Sequence, residues 1–311
     1  MEFTGERFVP SCQGEIAAEH YHRYFFAANL VAGKHVLDIA SGEGYGTHIL
    51  AQSAARVTGV DISPEAVANA TQMYAGDRIA FLQGSAAAIP LPDASVDVVV
   101  SFETLEHLHE QEKMLQEIRR VLRDDGFLIM STPNKRIYSA LDDNEFHVKE
   151  LDREEFIALL AGQFAHVSLL GQKVMYGSLL SGAGGDPVLL HQREKDNTVE
   201  RQSFLEQARY FIALAGNGPL PSADSSFFDY PLEKSDMMTQ WRGILADLQG
   251  RHDALRSAHD ALRSAHDAAQ ARLEAMEAAY ASILASRSWR VMAPLRRLGS
   301  LLRGDRKKGR N

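Results

Sequence analysis

The stretch that most constrains the fold runs from His35 to Asp61 and reads HVLDIASGEGYGTHILAQSAARVTGVD. It begins with a short, β-branched apolar run, Val36–Ile39, as expected for a strand that is buried on both faces. A glycine-rich turn, Ser41–Gly46, then opens a helix whose first N–H groups point back towards a ligand. The second strand, Arg56–Asp61, ends in a carboxylate that suits a ribose diol. The stretch therefore predicts a nucleotide-binding βαβ unit.

The glycine spacing bears on which cofactor such a unit would bind. Gly42 and Gly44 let the backbone approach a ligand closely. A dinucleotide site requires G-x-G-x-x-G, but here Gly46 comes one residue early. Asp38 lies inside the first strand, which suits a cofactor that has no phosphate and ends in a cationic amino acid. The alternative is a turn that binds a nucleotide or binds nothing, so the surrounding pattern has to decide.

The segment Val36 to Gly46 resembles the first motif of the class I S-adenosylmethionine-dependent methyltransferases. It departs from that motif at Ala40, where the family usually has its first glycine. The resemblance covers roughly residues 3–173 and implies an α/β, Rossmann-like sheet of seven strands with helices on both faces. It also implies S-adenosylmethionine as the cofactor. The cofactor-binding residues that it implies are Asp38, Ala40, Gly42, Gly44, Asp61, Ile62, Ser85 and Phe102.

These residues have expected roles, because ligands in this fold bind at the carboxyl ends of the strands where the strand order reverses. Asp61 should hold the ribose hydroxyls, and Ile62 should pack on adenine. Ser85, after the third strand, should meet the adenine edge, while Phe102 should lie near the methionine part. Asp38 either orders the glycine loop or meets the amino group.

Alternating strands and helices continue after Asp61, which favours a mainly parallel sheet. The further predicted strands are Ile79–Leu82, Ala94–Ser101, Phe127–Ser131, Val167–Leu170 and Val188–Leu190. The predicted helices are Ala17–Leu30, Gln111–Leu122, Glu154–Leu160, Glu200–Leu214 and one that begins at Pro64 with Ser63 as its N-cap. The first of these helices is either a lid over the cofactor pocket or a helix packed on the sheet edge.

Two loops carry groups that suit activation of a methyl acceptor. Glu103, Glu106 and His107 follow the fourth strand, where we expect them to share one helical face, and His147 follows the fifth. Carboxylate and imidazole ligands suit Mg²⁺ or another divalent cation. The pattern resembles the magnesium-dependent O-methyltransferases of ubiquinone synthesis and the small-RNA ribose methyltransferases. That resemblance implies that all four residues bind a metal, which lowers the pKa of the acceptor.

Without a metal, the same loops offer a general base. His107 or His147 would then take the proton of the acceptor hydroxyl as the catalytic residue. In a third interpretation, His107 only caps a helix. The sequence does not distinguish between a metal site, a general base and a helix cap.

Composition limits the class of protein. The chain of 311 residues is 45% hydrophobic, enough for a sizeable core, and has no apolar run of membrane-spanning length. Residues 1–10 are polar and charged, so no secretory leader is expected. The only cysteine is Cys12, so no disulfide forms within the chain and a reducing cytoplasm is the expected compartment. Residues 287–311 contain nine basic residues and one acidic residue, a net charge of +8. The remaining residues, 1–286, therefore carry a net charge of −16.

From Met238 the hydrophobic period changes to alternating steps of three and four. The positions are Met238, Trp241, Leu245, Leu248, His252, Leu255, His259, Leu262, His266, Ala269, Leu273, Met276, Tyr280 and Ile283. Seven such heptads predict a coiled coil about 70 Å long, and a homo-oligomer is the simplest partner. Histidines at three successive seam positions would weaken it and make its assembly pH-sensitive. The alternative is an exposed helix with solvated histidines.

The chain therefore divides into four predicted segments: a methyltransferase domain (1–172), a variable segment that completes it or shapes the substrate pocket (173–235), a coiled coil (236–287) and a basic amphipathic tail (288–311). Arginine and lysine beside Trp289 and leucines in the tail are typical of an anchor on anionic lipid. No stacking platform or recognition motif accompanies this charge, so no nucleic-acid partner is expected. The expected location is cytoplasmic, with peripheral contact at the inner membrane face.

The segments Gly5–Pro10, Gly14–Ile16 and Glu19–Tyr24 resemble the methyltransferase part of bacterial O-antigen chain-terminating enzymes. This implies O-methylation of a sugar hydroxyl on a glycan or lipid-linked saccharide, which would cap the non-reducing end of the chain, and a glycosyltransferase partner. Two alternatives remain, since a fold does not specify a substrate. One is a non-catalytic coiled-coil assembly protein with a degenerate cofactor fold, and the other is a small-molecule, quinone-type O-methyltransferase.

Overall fold

The computed structural model describes residues 12–139, 144–175, 191–193, 199–201 and 207–304. The strands in this part of the chain are β1 (His35–Ile39), β2 (Arg56–Asp61), β3 (Ile79–Gln83), β4 (Val96–Ser101), β5 (Leu122–Pro133), β6 (His166–Gln172), β7 (His191–Arg193), β8 (Val199–Arg201) and β9 (Tyr210–Gly216). Seven of them form one sheet in the order β3-β2-β1-β4-β5-β9-β6, and β7 pairs with β8.

The large sheet is parallel over most of its width and antiparallel at one edge. β1 pairs in parallel with β2 and β4, and β5 continues the parallel set beside β4. β9 runs antiparallel between β5 and β6. The chain moves outwards from β1 to β2 and β3, then returns to the other side of β1 as β4, so the crevice for a ligand lies at the carboxyl ends of β1 and β4. The predicted seven-stranded Rossmann-like sheet is confirmed.

The described helices are α1 (Glu15–Leu30), α2 (Tyr45–Leu50), α3 (Pro64–Tyr74), α4 (Gln111–Val121), α5 (Lys135–Tyr138), α6 (Arg153–Ala161), α7 (Asp236–Ala285), α8 (Arg287–Val291) and α9 (Ala293–Gly304). The predicted start of α3 is confirmed, because the Ser63 hydroxyl accepts a hydrogen bond of 3.2 Å from the backbone N–H of Ala66. Pro64 occupies the first helical position, where a missing N–H costs nothing.

Apolar residues cover both faces of the sheet. In β4, Val98 and Val100 point into one hydrophobic cluster, while Val99 points into the cluster on the opposite face. All three are fully buried. This is why the central strands read as continuous apolar runs rather than as alternating patterns.

The sequence prediction was wrong at the last strand of the sheet. Glu200–Leu214 was predicted as a helix, but β9 occupies Tyr210–Gly216 and β8 occupies Val199–Arg201. Every residue of β9 is buried, so its run of apolar side chains has no period that separates a strand from a helix. The predicted strand Val188–Leu190 lies outside the described residues.

Residues 240–311 form a second compact unit, of which residues 240–304 are described. It contains most of α7, a helix of 50 residues without a buried side chain, together with α8 and α9. The long helix predicted from the heptad pattern is present, while its pairing into a coiled coil stays a prediction. In the described part of the chain, no helix is both long enough and apolar enough to cross a bilayer.

Candidate active site

The turn after β1 carries an unusual backbone. Ala40, Gly42 and Gly44 have φ angles of 61°, 55° and 82°, in the left-handed region that favours glycine. Ala40 therefore adopts a conformation that favours glycine, at a strain of about 1–2 kcal/mol. The N–H of Gly42 donates a hydrogen bond of 2.8 Å to Oδ2 of Asp61 at the end of β2. This bond fixes the turn against the second strand.

The two glycines in this turn have different surroundings. A Cβ atom added at Gly42 would meet nothing within 4 Å, so that face of the turn is open. A Cβ at Gly44 would lie 2.7 Å from the Phe81 ring and 2.8 Å from Cβ of Ala70. Gly44 is therefore required for packing inside the domain, whereas Gly42 leaves room on the open side of the turn.

Asp61 and Ile62 lie beside this open face. Asp61 is 5% exposed, and its Oδ1 accepts a hydrogen bond of 2.9 Å from the N–H of Ser63. Two backbone N–H groups thus orient the carboxylate. Ile62 is an exposed large apolar residue at 68% exposure, next to the carboxylate. A carboxylate beside an exposed apolar surface suits a nucleoside, with hydroxyl groups at one end and an apolar ring face at the other.

Asp38 lies inside the domain rather than on the open face. It is fully buried and accepts hydrogen bonds from Thr47 Oγ1 at 2.6 Å and from Tyr24 Oη at 3.2 Å. Burial raises the pKa of the Asp38 carboxyl to about 7, against the lowering effect of these two bonds. Of its two expected roles, this geometry favours ordering of the loop, because Asp38 ties α1 and α2 to β1.

The other two predicted cofactor residues lie at the ends of their strands. The Ser85 hydroxyl, after β3, accepts a hydrogen bond of 3.2 Å from the N–H of Ala87. Phe102, after β4, is 6% exposed and packs edge-on against Tyr24 of α1 with ring centroids 5.0 Å apart. Helix α1 therefore covers the carboxyl end of β4.

The loops after β4 and β5 bring three predicted residues together. One ligand atom from each of Glu106, His107 and His147 lies within 4.8 Å of the others. The His107 and His147 rings pack edge to face with centroids 5.0 Å apart. Nε2 of His107 lies 4.0 Å from Oε1 of Glu106. An oxygen and two imidazoles at these distances form a donor set for a divalent cation.

The hydrogen bonds of this cluster define the tautomers of its neutral histidines. Nδ1 of His107 lies 2.9 Å from the carbonyl oxygen of Phe146 and must donate to it, which leaves the lone pair on Nε2 when the ring is neutral. Nδ1 of His147 donates to the Glu150 carboxylate at 2.5 Å, and Nε2 of His147 then accepts from the Asn144 amide at 3.1 Å, so a cation at this nitrogen would displace Asn144. Glu150 was not predicted, although its spacing of three residues from His147 was a usable signal.

Glu106 is fully buried, and burial followed by the charge of Glu103 raises the pKa of its carboxyl well above the ordinary value. Oε2 accepts a hydrogen bond of 3.2 Å from Thr132, but Oε1 has no hydrogen-bond partner among the described residues. A buried oxygen of this kind is costly unless a proton or a cation occupies it.

Glu103 does not join the cluster, which corrects the expected shared helical face. Its φ angle is 50°, and only Leu105–His107 form a 3₁₀ turn, so no helix carries Glu103 and Glu106 on one side. The Glu103 carboxylate instead accepts a hydrogen bond of 2.6 Å from Ser131 Oγ and lies 3.6 Å from Nη1 of Arg23. The positive φ of Glu103, just after β4, points its side chain towards Ser131 and Arg23.

Arg23 of α1 is a buried charged residue for which no role was predicted from the sequence. Its side chain is fully inaccessible, and Nη1 donates to Oε1 of Gln172 at 2.9 Å. Its guanidinium lies 4.8 Å from the centroid of the Tyr210 ring. Burial raises the pKa of the neighbouring Glu19 carboxyl to about 7, despite the opposing charge of Arg23. The four residues connect α1 to the antiparallel edge of the sheet.

Comparison with known proteins bears on this geometry. Residues 37–130 match the family model described as a methyltransferase domain. This match contains most of β1, together with the glycine turn, Asp61 and the Glu106–His107 loop. The resemblance to a methyltransferase domain therefore covers the open turn and the carboxylate beside it.

Proteins of similar sequence carry methyltransferase names. A probable S-adenosylmethionine-dependent methyltransferase of Mycolicibacterium smegmatis is 40% identical over 169 residues, which is 51% of this chain and 63% of the relative. Another, from Mycobacterium tuberculosis, is 39% identical over 178 residues, 55% of this chain and 64% of the relative. The mitochondrial ubiquinone biosynthesis O-methyltransferase of Schizosaccharomyces pombe is 31% identical over 122 residues, 38% of this chain and 44% of the relative. The chain thus spans less than two thirds of each of these relatives.

Proposed function

We propose that the protein is an S-adenosylmethionine-dependent O-methyltransferase. The observation that carries the proposal is the turn after β1, where the open face at Gly42 adjoins the oriented carboxylate of Asp61. Bound S-adenosylmethionine supplies a methyl group on a sulfonium, already activated for transfer, so the protein has to align it and prepare the acceptor.

The residues around the turn fit this cofactor. Asp61 accepts from the two ribose hydroxyls, and the exposed side chain of Ile62 lies against adenine, with Ser85 at the adenine edge. Phe102 faces the methionine part, beneath α1. A dinucleotide would require its third glycine one residue later than Gly46.

The histidine cluster prepares the acceptor hydroxyl. In its neutral form His107 presents the lone pair of Nε2, because Nδ1 donates to the Phe146 carbonyl. The imidazole then takes the hydroxyl proton as the methyl group is transferred, which places the charge on a group suited to neutral pH.

A divalent cation fits the same cluster. Glu106, His107 and His147 would hold it, and the unpartnered Oε1 of Glu106 would gain a ligand. Such a cation would lower the pKa of the acceptor hydroxyl and so replace the general base. We propose deprotonation assisted by a cation as the alternative to the general base, and chelation distinguishes the two.

For the acceptor we propose a sugar hydroxyl of a bacterial surface polysaccharide, presented as a glycan or a lipid-linked saccharide. The support is the resemblance of the N-terminal segments and first motif to O-antigen chain-terminating enzymes. The basic tail supports the same setting, since Trp289 and Arg296 stack at 3.6 Å beside exposed Leu295 and Leu298. Such a surface suits anionic lipid at the inner membrane face, near a glycosyltransferase.

A quinol is the second candidate acceptor. One observation favours it, which is the likeness of 122 residues to a relative named for ubiquinone biosynthesis. Both acceptors carry hydroxyls, and a phenolic hydroxyl loses its proton more readily than a sugar hydroxyl. The quinol would therefore depend less on the histidine cluster.

The cofactor proposal is tested by calorimetry of the full chain with S-adenosylmethionine. Asp61→Ala should weaken binding about 100-fold, because charge-assisted hydrogen bonds to the ribose are lost. The affinity of Asp61→Asn should lie between those of Asp61→Ala and the wild type. Asp77 is an exposed carboxylate in the same domain, so Asp77→Ala should bind the cofactor as the wild type does. Wild-type protein that binds no cofactor would support the non-catalytic assembly protein instead.

The acceptor proposal is tested by turnover on glycan and quinol acceptors, with and without a chelator. Transfer to the glycan alone supports the polysaccharide reading, and transfer to the quinol alone overturns it. Loss of turnover on chelation, restored by Mg²⁺ or Mn²⁺, assigns the cluster to a metal. Unchanged turnover assigns it to the general base.

A further inference from the structure

We propose that α7 pairs in parallel and in register with α7 of a second copy of this chain, and that three histidine layers make this assembly weaken in acid. The pairing surface is the stripe of heptad positions defined above, which we call the seam. Helix α7 is a single element of 50 residues without a buried side chain. The inference does not depend on the proposed function.

The seam exposes large apolar side chains along its length. Leu255 and Leu262 are 72% and 71% exposed, and Met276 is 69% exposed. The other exposed seam residues include Trp241, Leu245, Leu248, Leu273, Tyr280 and Ile283. Removing these apolar side chains from water is favourable, so a partner that covers the stripe is favoured.

The spacing of the seam specifies a helix as the partner. On a straight helix, positions seven residues apart rotate around the helix axis by about 20° per heptad. A seam of seven heptads therefore faces one partner along its whole length only when two helices supercoil. A globular partner would need no such repeat. The seam of α7 alternates three and four residues from Met238 to Ile283.

The spacing of the side chains on α7 also defines where a facing helix would pack. His259, Leu262, Arg263 and His266 line a shallow depression on it. Their spacing of three, one and three residues gives the four corners of a hole that accepts one knob side chain from a facing helix. In a parallel, in-register pair, Leu262 of the second copy fills this hole.

The histidines favour a second copy in parallel register over other arrangements. In that register His252, His259 and His266 each face the same residue of the other chain, so polar layers meet polar layers. In the antiparallel pairing with full overlap, each would face a leucine or an alanine. Polar residues at such core positions are known to fix register at a cost in stability.

Charged groups around the histidines set the direction of the pH effect. Nδ1 of His252 lies 3.4 Å from Asp253, and Nδ1 of His259 lies 3.5 Å from Asp260. Arg251, Arg256 and Arg263 flank the same layers on the two sides of the seam. When these imidazoles carry a proton, each layer holds two like charges beside arginines. The aspartates offset part of this repulsion, since they lie on the outer side.

The first experiment is sedimentation of the full chain at pH 7.5. The wild type should be a dimer or a higher oligomer. Leu255→Glu with Leu262→Glu should weaken assembly at least 100-fold. The control, Ser257→Glu with Ser264→Glu, adds the same charge in the same heptads on the opposite helix face and should assemble as the wild type does. A monomeric wild type, or equal effects of the two double variants, overturns the proposal.

The second experiment tests the register by oxidation of Ala269→Cys in a Cys12→Ser background. Parallel chains in register place the two cysteines in one layer, so a disulfide-linked dimer should form quickly. Antiparallel chains with full overlap would separate residue 269 from its equivalent by about 25 Å, from the helical rise. An oligomer that does not cross-link overturns the parallel register.

The third experiment measures the dissociation constant between pH 7.5 and 5.5. It should rise at least tenfold as the pH falls, and the rise should disappear when His252, His259 and His266 are all replaced by Leu. That variant should also assemble more tightly at pH 7.5. An unchanged pH response in the leucine variant overturns the role of the histidine layers while leaving the pairing itself intact.

Discussion

The proposed cofactor side and the proposed acceptor side both lie at the carboxyl ends of the parallel strands, but their contacts join residues that are separated by different distances along the chain. On the cofactor side, Asp38 bonds to Thr47 nine residues away, and Gly42 bonds to Asp61 nineteen residues away. On the acceptor side, His107 bonds to the carbonyl oxygen of Phe146, 39 residues away. Local contacts specify the first site, whereas the second exists only when distant loops meet. The two sites should therefore respond separately to substitution.

The largest expected effect separates chemistry from cofactor binding. His107→Ala should lower kcat about 10²–10⁴-fold, because the acceptor loses its general base or a metal ligand. The dissociation constant of S-adenosylmethionine should stay within about twofold, since His107 lies outside the cofactor turn. Calorimetry and initial rates measure the two quantities. His109→Ala, an exposed histidine two residues away, is the control and should retain full turnover. Weaker cofactor binding in His107→Ala would show that the two sides are not independent.

The second prediction compares two glycines on the cofactor side. Gly44→Ala should lower the free energy of unfolding by about 3 kcal/mol, because it combines left-handed strain with overlap against Phe81 and Ala70. Gly42→Ala should lower the free energy of unfolding only by the backbone strain, about 1–2 kcal/mol. It should weaken cofactor binding more than Gly44→Ala does, because its Cβ enters the open face of the turn. Denaturant unfolding and calorimetry of the folded variants measure both. Equal unfolding costs would contradict the different surroundings of the two glycines.

The third prediction concerns the dependence of stability on pH. The pKa of Asp38 is about 7 in the folded protein, above its ordinary value of 3.8, so the folded state holds a proton that the unfolded chain releases. This contribution is complete below about pH 4 and is lost as the pH rises through about 7. Glu19, with a pKa of about 7, acts in the same direction. Asp38→Asn should flatten the fall in unfolding free energy between pH 4 and 7. A fall of unchanged size in that variant would show that other groups cause it.

The smallest expected effect is at Ala40. Ala40→Gly should raise the free energy of unfolding by up to about 1 kcal/mol, because relief of left-handed strain exceeds the added chain entropy of glycine. Cofactor affinity should change little. Ala94→Gly, another alanine with positive φ, is a matched control that tests the strain alone, away from the site. A loss of stability in Ala40→Gly would mean that the alanine side chain makes a contact of its own.

These comparisons explain how much could be predicted. The strands β1 and β4 were predicted because they are short and mainly apolar, as buried parallel strands are, and β2 was predicted from its place in the βαβ unit, where it ends in Asp61. The same rule failed at β9, where a fully apolar run reads equally well as a helix. For the candidate site, the glycine turn and Asp61 follow from local spacing. The sequence also pointed to Glu106, His107 and His147, but it wrongly grouped Glu103 with them on one helical face.

The sequence by itself determined the glycine turn with its carboxylate nineteen residues on, and the seam of α7. Both are periodic or local patterns in which neighbouring residues specify the geometry. Only the tertiary structure decided that Glu103 turns towards Arg23 and that His107 meets His147. The reason is physical: a single left-handed residue redirects a side chain, and loops from different strands come together only through packing of the whole sheet.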